Sequence, residues 1–320
     1  MSSGRPGRWL WVLLQLLHLA TSAEWDLRTA VDARFPIWDR GSADYKALVD
    51  RCRASLAEAG FVHLANFLTP EACAAALEEE DQLVNAGLAY RSIIKFTPFL
   101  GEATDAGDDA DDTSLQDCSK WLLAHDQLDP GRTLCRLYAS DALRNFLSDC
   151  MEEELVRSQD PMNAVHTNRY GPGDGLGWHF DNSPFFCNLV LAQPSSGGVF
   201  QYVPAELSAS RELIEQVVAC AESPSAAEAG VVVATTGAVV TVQDLAARSL
   251  ILFRGAKAAH RVTPVAARDS AGSFSGATAG MAHQLRISAI LNYCQAGTTG
   301  VLNDYTRQKF FGRTLDGASS

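Results

Sequence analysis

The sequence predicts an α+β fold, a helical N-terminal part packed on a C-terminal β-barrel as one integrated unit. Two observations predict it. Apolar residues recur at helical spacing in the first half, and from Ala164 onward short strand-like runs are punctuated by Gly and Pro clusters. A third sets the scale: 320 residues, 47% of them apolar, suffice for one large domain or two small ones with a sizeable core. No internal repeat is visible.

The elements follow in order. Arg5 and Arg8 precede an apolar stretch at 9–20 (WLWVLLQLLHLA), and Thr21-Ser22-Ala23 offers small residues for cleavage. That is the three-part pattern of a secretory signal over residues 1–23, too short for a bilayer-spanning helix. It places the protein in the secretory pathway, with an organelle presequence or a signal anchor as alternatives. No later segment is long and apolar enough to cross a membrane. Residues 45–59 put Leu48, Val49, Cys52, Leu56 and Ala59 on one helical face, and Gly60 stops the helix. FVHLANF at 61–67 reads as a strand. Thr69 and Pro70 then cap and open a helix that runs to about Asn85 and ends at Gly87. Residues 90–129 have mixed character, and 101–114, rich in Asp and Gly, reads as a loop. Residues 140–154 form a further amphipathic helix.

Strand-like runs then follow at 164–170, 185–192, 199–203, 231–234, 238–242, 249–253, 259–264 and 285–293. Many short strands with turn signals argue for a barrel or a sandwich. A helix-like segment at 206–221 and a small polar loop at 269–280 (DSAGSFSGATAG) interrupt them. The organisation is a mixed region at 24–162 integrated with a core at 163–313, and a tail at 314–320.

A net charge of -12 and a pI near 5.0 argue against nucleic acid as a partner, because an acidic surface repels phosphate. The acidic run from Asp105 to Asp112 reads as a solvated loop. The eight cysteines form no CxxC pair, so a zinc knuckle or thioredoxin-like motif is excluded. They read as buried thiols; if a bridge forms, Cys118, Cys135 and Cys150 are its candidates. Oligomeric state is not legible.

The densest chemical signal is NRYGPGDGLGWHFDN, residues 168–182. His179 and Asp181 are two apart and share one face of a strand. His260, in LFRGAKAAHRVTPV, supplies a third ligand from a second strand-like run. Two imidazoles and a carboxylate occupy one face of an iron(II) octahedron and leave positions open for a co-substrate and dioxygen.

These motifs, with NLVLAQPSSGGVFQYVP from Asn188, RISAILNY from Arg286 and YTRQKFFGR at 305–313, resemble the iron(II)/2-oxoglutarate-dependent dioxygenases. Within that superfamily the chain resembles the ArpA-like branch of free-amino-acid hydroxylases and halogenases. The resemblance covers about 163–313 and implies a double-stranded β-helix core, a cupin-like jelly roll. It implies His179, Asp181 and His260 as ligands of Fe(II). It also implies Arg286 and Ser288 as the holders of the far carboxylate of 2-oxoglutarate, with Asn168 and Tyr170 also in reach of the co-substrate. Dioxygen is the second co-substrate, and ascorbate a candidate further cofactor. A guanidinium suits a carboxylate, which it grips in bidentate fashion. In the halogenases of this branch, Gly or Ala stands where Asp181 stands here and chloride fills the space, so Asp181 points to hydroxylation. The gap from His260 to Arg286 is longer than the branch leads one to expect. The 269–280 loop accounts for it; if that loop breaks the strand, Arg268 is the alternative anchor.

Arg91, in Tyr90-Arg91-Ser92, and His125 with Asp126 are the candidate substrate contacts. Three functions stand at this point. The first is hydroxylation of a small molecule, a free amino acid among the options. The second is hydroxylation of a protein side chain, as by the prolyl hydroxylases, which a secretory signal suits. The third is a cupin-like binding module without catalysis, disfavoured because the three ligands and the arginine are all present.

Overall fold

A computed structural model describes residues 25–98, 115–181, 185–221, 239–242, 245–266 and 284–315. The expected signal segment, the acidic run, the strand-like run at 231–234, Arg268 and the 269–280 loop lie outside them.

Helix α1 (Ala43–Ala59) begins at Ser42, whose side chain accepts from the Tyr45 N–H, and stops at Gly60, whose φ of +67° suits a residue without a Cβ. Strand β1 (Phe61–Leu64) follows. Helix α2 (Pro70–Asn85) is capped by Thr69, which accepts from the Ala72 N–H, with Pro70 in its first turn. The stretch of mixed character holds two paired strands, β2 (Tyr90–Phe96) and β3 (Gln116–Leu123). Helices α3 (Thr133–Ala139) and α4 (Asp141–Met151) precede β4 (Leu155–Arg157). Then come β5 (Val165–Tyr170), β6 (Gly175–His179), β7 (Phe185–Ala192) and β8 (Phe200–Tyr202). The helix-like segment resolves into α5 (Ala205–Ser208) and α6 (Arg211–Ala221). Four strands follow: β9 (Val240–Val242), β10 (Ser249–Phe253), β11 (His260–Val262) and β12 (Arg286–Gln295). Helix α7 (Asp304–Phe311), which sequence patterning left unassigned, follows them.

All strands among the described residues join one antiparallel sheet of 12 in the order β1-β10-β7-β12-β5-β3-β6-β11-β8-β9, with β2 added on β3 and β4 on β12. The sheet curls into a jelly roll: β1, β10, β7, β12 and β5 form one side, β6, β11, β8 and β9 the other, and β3 pairs with both β5 and β6.

Strand alternation divides the residues between two environments. Leu189 and Leu191 of β7, Leu250 and Leu252 of β10, and Ala289 and Leu291 of β12 join α1 and α4 residues such as Leu48, Cys52, Phe146 and Leu147 in the main core. The intervening positions, Asn188, Ser288, Ile290 and Asn292, face the inside of the roll and line a cavity there. The helices therefore cover the outer face of one side, and the inner face is left for a ligand. The described cysteines are buried and unbridged, so Cys118, Cys135 and Cys150 are thiols here. No helix among the described residues is long and apolar enough to cross a membrane.

Candidate metal centre

His179 is the last residue of β6 and stands directly opposite His260, the first of β11. Asp181 lies just beyond the strand, so its place is not set by strand alternation as the sequence suggested. Its N–H instead donates to the Gly255 carbonyl at 3.1 Å, which folds the carboxylate back between the histidines. Asp181 Oδ1 is 3.4 Å from His179 Nε2, and Oδ2 is 3.5 Å from His260 Nε2. Potential ligand atoms of the three all lie within 4.8 Å of one another, close enough for one ion.

The protonation states suit a cation. His179 Nδ1 lies 2.9 Å from the Gly177 carbonyl and His260 Nδ1 3.0 Å from that of Ala258. A carbonyl only accepts, so each Nδ1 carries the proton and each Nε2 presents a lone pair inward. Burial, then the neighbouring His260, pushes His179 below the ordinary histidine value, toward the neutral form that binds metals. Burial disfavours the charge on Asp181, but His260 and His179 outweigh it and hold the carboxyl well below the usual range.

Gly255 is a site residue that the sequence reading missed. A Cβ built there would fall 1.8 Å from Asp181 Oδ2, so the carboxylate occupies the space a side chain would need. The signal was the glycine in LFRGAKAAH, between β10 and the second histidine.

The triad opens on a cavity of about 160 Å³. Tyr170, Asn168 and His166 from β5, Asn188 from β7, Ser288 and Asn292 from β12, and Lys120 from β3 contribute its polar surface. Leu302, Thr306, Phe310 and Phe311 supply a wall from the C-terminal segment. The four residues expected at the co-substrate are thus brought together: Asn168, Tyr170 and Ser288 line the cavity, and Arg286 stands opposite Tyr170 in the β5–β12 register. Pairing of β12 is established from Arg286 itself, so the long connection before it does not break the strand.

Arg286 is 0% exposed. Its Nη1 donates to Gln193 Oε1 at 2.6 Å and to the Gly198 carbonyl at 3.1 Å. Its Nε and Nη2 have no partner among the described residues, and Asn168 Oδ1 and Asn188 Oδ1 are likewise unsatisfied. Burial lowers the guanidinium to about 10, so it remains charged at neutral pH. A buried cation held by neutral groups, with two donors unspent, is built to receive an anion.

The structure places the expected substrate contacts, Arg91, His125 and Asp126, outside the lining of this cavity. Arg91 is engaged by Asp174, at 2.9 and 2.6 Å, and does not line the cavity. Asp126 is bound by Arg313 at 2.7 and 2.5 Å, and His125 packs edge-on against Tyr138. Strand alternation explains Arg91: it is the neighbour of Ser92, which is buried, and so points to the opposite face of β2. Trp178 is core, 1% exposed and stacked under Arg261 at 4.9 Å.

Comparison with known proteins gives a match to the Halogenase D family over residues 125–270. No curated protein matches the chain. Among solved structures, HygX from Streptomyces hygroscopicus, with nickel and 2-oxoglutarate bound, is similar at a TM-score of 0.50 and 14% identity, over 78% of this chain and 88% of that one. A prolyl-4-hydroxylase from Pseudomonas putida aligns at 16% identity over 78% and 99% of the two chains, with a TM-score of 0.45. A prolyl hydroxylase from Trichoplax adhaerens, in complex with a hypoxia-inducible-factor peptide fragment, aligns at 15% over 80% and 96%, with a TM-score of 0.47. At such identities the likeness to HygX concerns the fold.

Proposed function

We propose that this chain is an Fe(II)- and 2-oxoglutarate-dependent dioxygenase that hydroxylates a C–H bond of a small molecule. The observation that carries the proposal is the pairing of two unfinished sites in one jelly roll: an inward-facing His179–Asp181–His260 cluster and a buried Arg286 with two unspent donors. The first fits a divalent cation with open positions, and the second fits the far carboxylate of a dicarboxylate bound to it. The match to the Halogenase D family over residues 125–270 is in keeping with the oxygenase part of this reading, and the choice of hydroxylation rests on Asp181, which stands where the resemblance puts Gly or Ala in the halogenases.

In this reading His179, Asp181 and His260 hold the iron, with both imidazoles oriented by backbone carbonyls. When bound, the iron with 2-oxoglutarate supplies the oxidising power: dioxygen gives one atom to succinate and one to the substrate hydroxyl, and carbon dioxide leaves as a C–C bond of 2-oxoglutarate breaks. Arg286 and Ser288 fix the far end of the co-substrate, two residues apart on the inner face of β12. Asn168 and Tyr170 border it from β5, and Leu122, Ile290 and Phe310 keep water from the reacting centre. The wall from the C-terminal segment makes a chamber suited to a small molecule more than to a polypeptide.

The test is succinate formation from 2-oxoglutarate under Fe(II) and oxygen, measured with panels of amino acids, other small molecules and peptides. Stimulation by a small molecule is expected; stimulation by peptides alone would move the substrate to protein side chains. His260→Ala should abolish turnover, and full turnover in that variant would overturn the ligand set. Arg286→Ala should raise the 2-oxoglutarate requirement about tenfold or more, as loss of a charge-assisted contact implies.

A further inference from the structure

Lys120 is a charge that the proposed chemistry does not use. Alternation along β3 places it and Leu122 on the face that lines the cavity. It is 5% exposed. Among the described residues its ammonium meets no carboxylate and no hydrogen-bond acceptor; its recorded contact is the Phe310 ring, 5.7 Å away. The carboxylate nearest in influence, Asp181, is already shared by two imidazoles. An ammonium buried without a counter-charge is strongly unfavourable, and burial accordingly lowers its proton affinity. An anion arriving in the cavity would complete such a group.

The charges of the loaded site show what is missing, taking the proposed oxygenase reading as the basis. Counted with Lys120 in its protonated form, two positive charges on iron, one on Arg286 and one on Lys120 would face Asp181 and the two carboxylates of 2-oxoglutarate. One positive charge remains. Since the far carboxylate of 2-oxoglutarate is met by Arg286 and the near one by the metal, the surplus belongs to Lys120.

We propose that Lys120 receives the carboxylate of the molecule to be oxidised, so that the substrate is an acidic small molecule with an apolar part. The apolar part packs against Leu122, Phe310 and Phe311, which share the cavity with Lys120. Lys120 is thereby a specificity residue, distinct from the groups that hold metal and co-substrate.

The experiment uses the full chain loaded with Ni(II), which supports binding without turnover, with and without 2-oxoglutarate. The probes are the standard L-amino acids, hexanoate and phenylacetate, each beside its carboxamide, with binding read by calorimetry and thermal shift. At least one acid should bind at least tenfold more tightly than its amide. Lys120→Gln should erase that preference while the 2-oxoglutarate affinity is unchanged, and Lys120→Arg should restore part of it. The proposal is overturned if no acid outbinds its amide, if Lys120→Gln keeps the preference, or if that variant weakens 2-oxoglutarate instead, which would make Lys120 a co-substrate residue. Should Lys120→Gln fail to fold, the comparison of acid and amide on the unaltered protein still decides. Failure of 2-oxoglutarate to bind that protein would defeat the oxygenase reading separately, because the acid and amide titrations are also made without it.

Discussion

At the scale of single residues, the geometry around Asp181 depends on an atom that is absent. Gly255 leaves the space into which the carboxylate folds, and its carbonyl accepts the Asp181 N–H. Gly255→Ala should therefore lower metal affinity about 10- to 100-fold, the range seen when groups supporting a ligand are lost, while the melting temperature of the metal-free protein stays nearly constant. Calorimetric titration with Mn(II) or Ni(II) checks it, and an unchanged affinity would show that Asp181 has another way to reach the ion. The clustering of His179, Asp181 and His260 was legible because a histidine and an aspartate two residues apart, followed by a distant histidine, form a sparse pattern with few other uses. Gly255 was not, because a glycine's meaning lies in what packs against it. Lys120 was not, because a lysine within a strand ordinarily faces water.

Among the elements, α7 and β3 both contribute side chains to the cavity. Helix α7 adds Thr306, Phe310 and Phe311 to the cavity, and a buried ion pair fixes it: Arg307 Nη2 donates to Asp160 Oδ2 at 2.8 Å, with the aspartate 0% and the arginine 5% exposed. Asp160 also accepts from the N–H groups of Leu302, Met162 and Asn163, the last a cavity residue. Asp160→Ala leaves that guanidinium buried against one partly exposed carboxylate, Asp304. It should cost about 3–5 kcal/mol, the usual penalty for removing one member of a buried pair, seen as a lower midpoint in urea unfolding. A loss under about 1 kcal/mol would mean that the helix is held by its apolar contacts alone. Most described strands of the second half were legible as short apolar runs between turn signals, but β6, the Gly-rich GLGWH, was not among those runs. Strand β3 was obscured by the cavity it lines. In QDCSKWLL the inward positions carry Gln116 and Lys120 while Trp121 faces out at 41% exposure, the reverse of the usual alternation. A strand that lines a polar cavity hides from a rule that expects apolar residues inside.

Across the whole molecule, carboxylates tie distant segments together. Asp149 of α4 accepts from Arg40 and Tyr45, Asp174 in the β5–β6 turn from Arg91 and Ser119, and Asp160 from α7 and its approach. Burial works against ionisation of each, but these hydrogen bonds prevail and hold all three below the usual carboxylate value. A folded-state value below the unfolded one stabilises above the unfolded value, about 3.9, and the benefit fades as pH falls through the folded one. Stability from urea titrations should therefore be nearly flat from pH 7 to about 5 in these contributions and fall steeply below about 4. Equal stability at pH 7 and pH 3 would contradict it. The α+β class and the barrel-like second half were visible in the sequence, whereas the joining of the first-half strands β1, β2 and β3 to the same sheet was not. The partners of β1 (β10) and of β3 (β5 and β6) lie far along the chain, β2 joins the sheet only through β3, and local patterning carries no record of such distant pairing.

The wall that α7 contributes has a consequence for how such a protein can diversify. The residues proposed to hold metal and co-substrate fall between 168 and 288, whereas much of the chamber that would choose a substrate comes from Lys120 and Leu122 upstream and from 302–311 downstream. In this reading, part of the choice of substrate is written outside the stretch of the gene that carries reactivity. If the proposal holds, mutations in the flanking stretches would retune which molecule is accepted while the proposed oxidising centre is inherited intact, and an engineer seeking a new substrate would randomise those positions first.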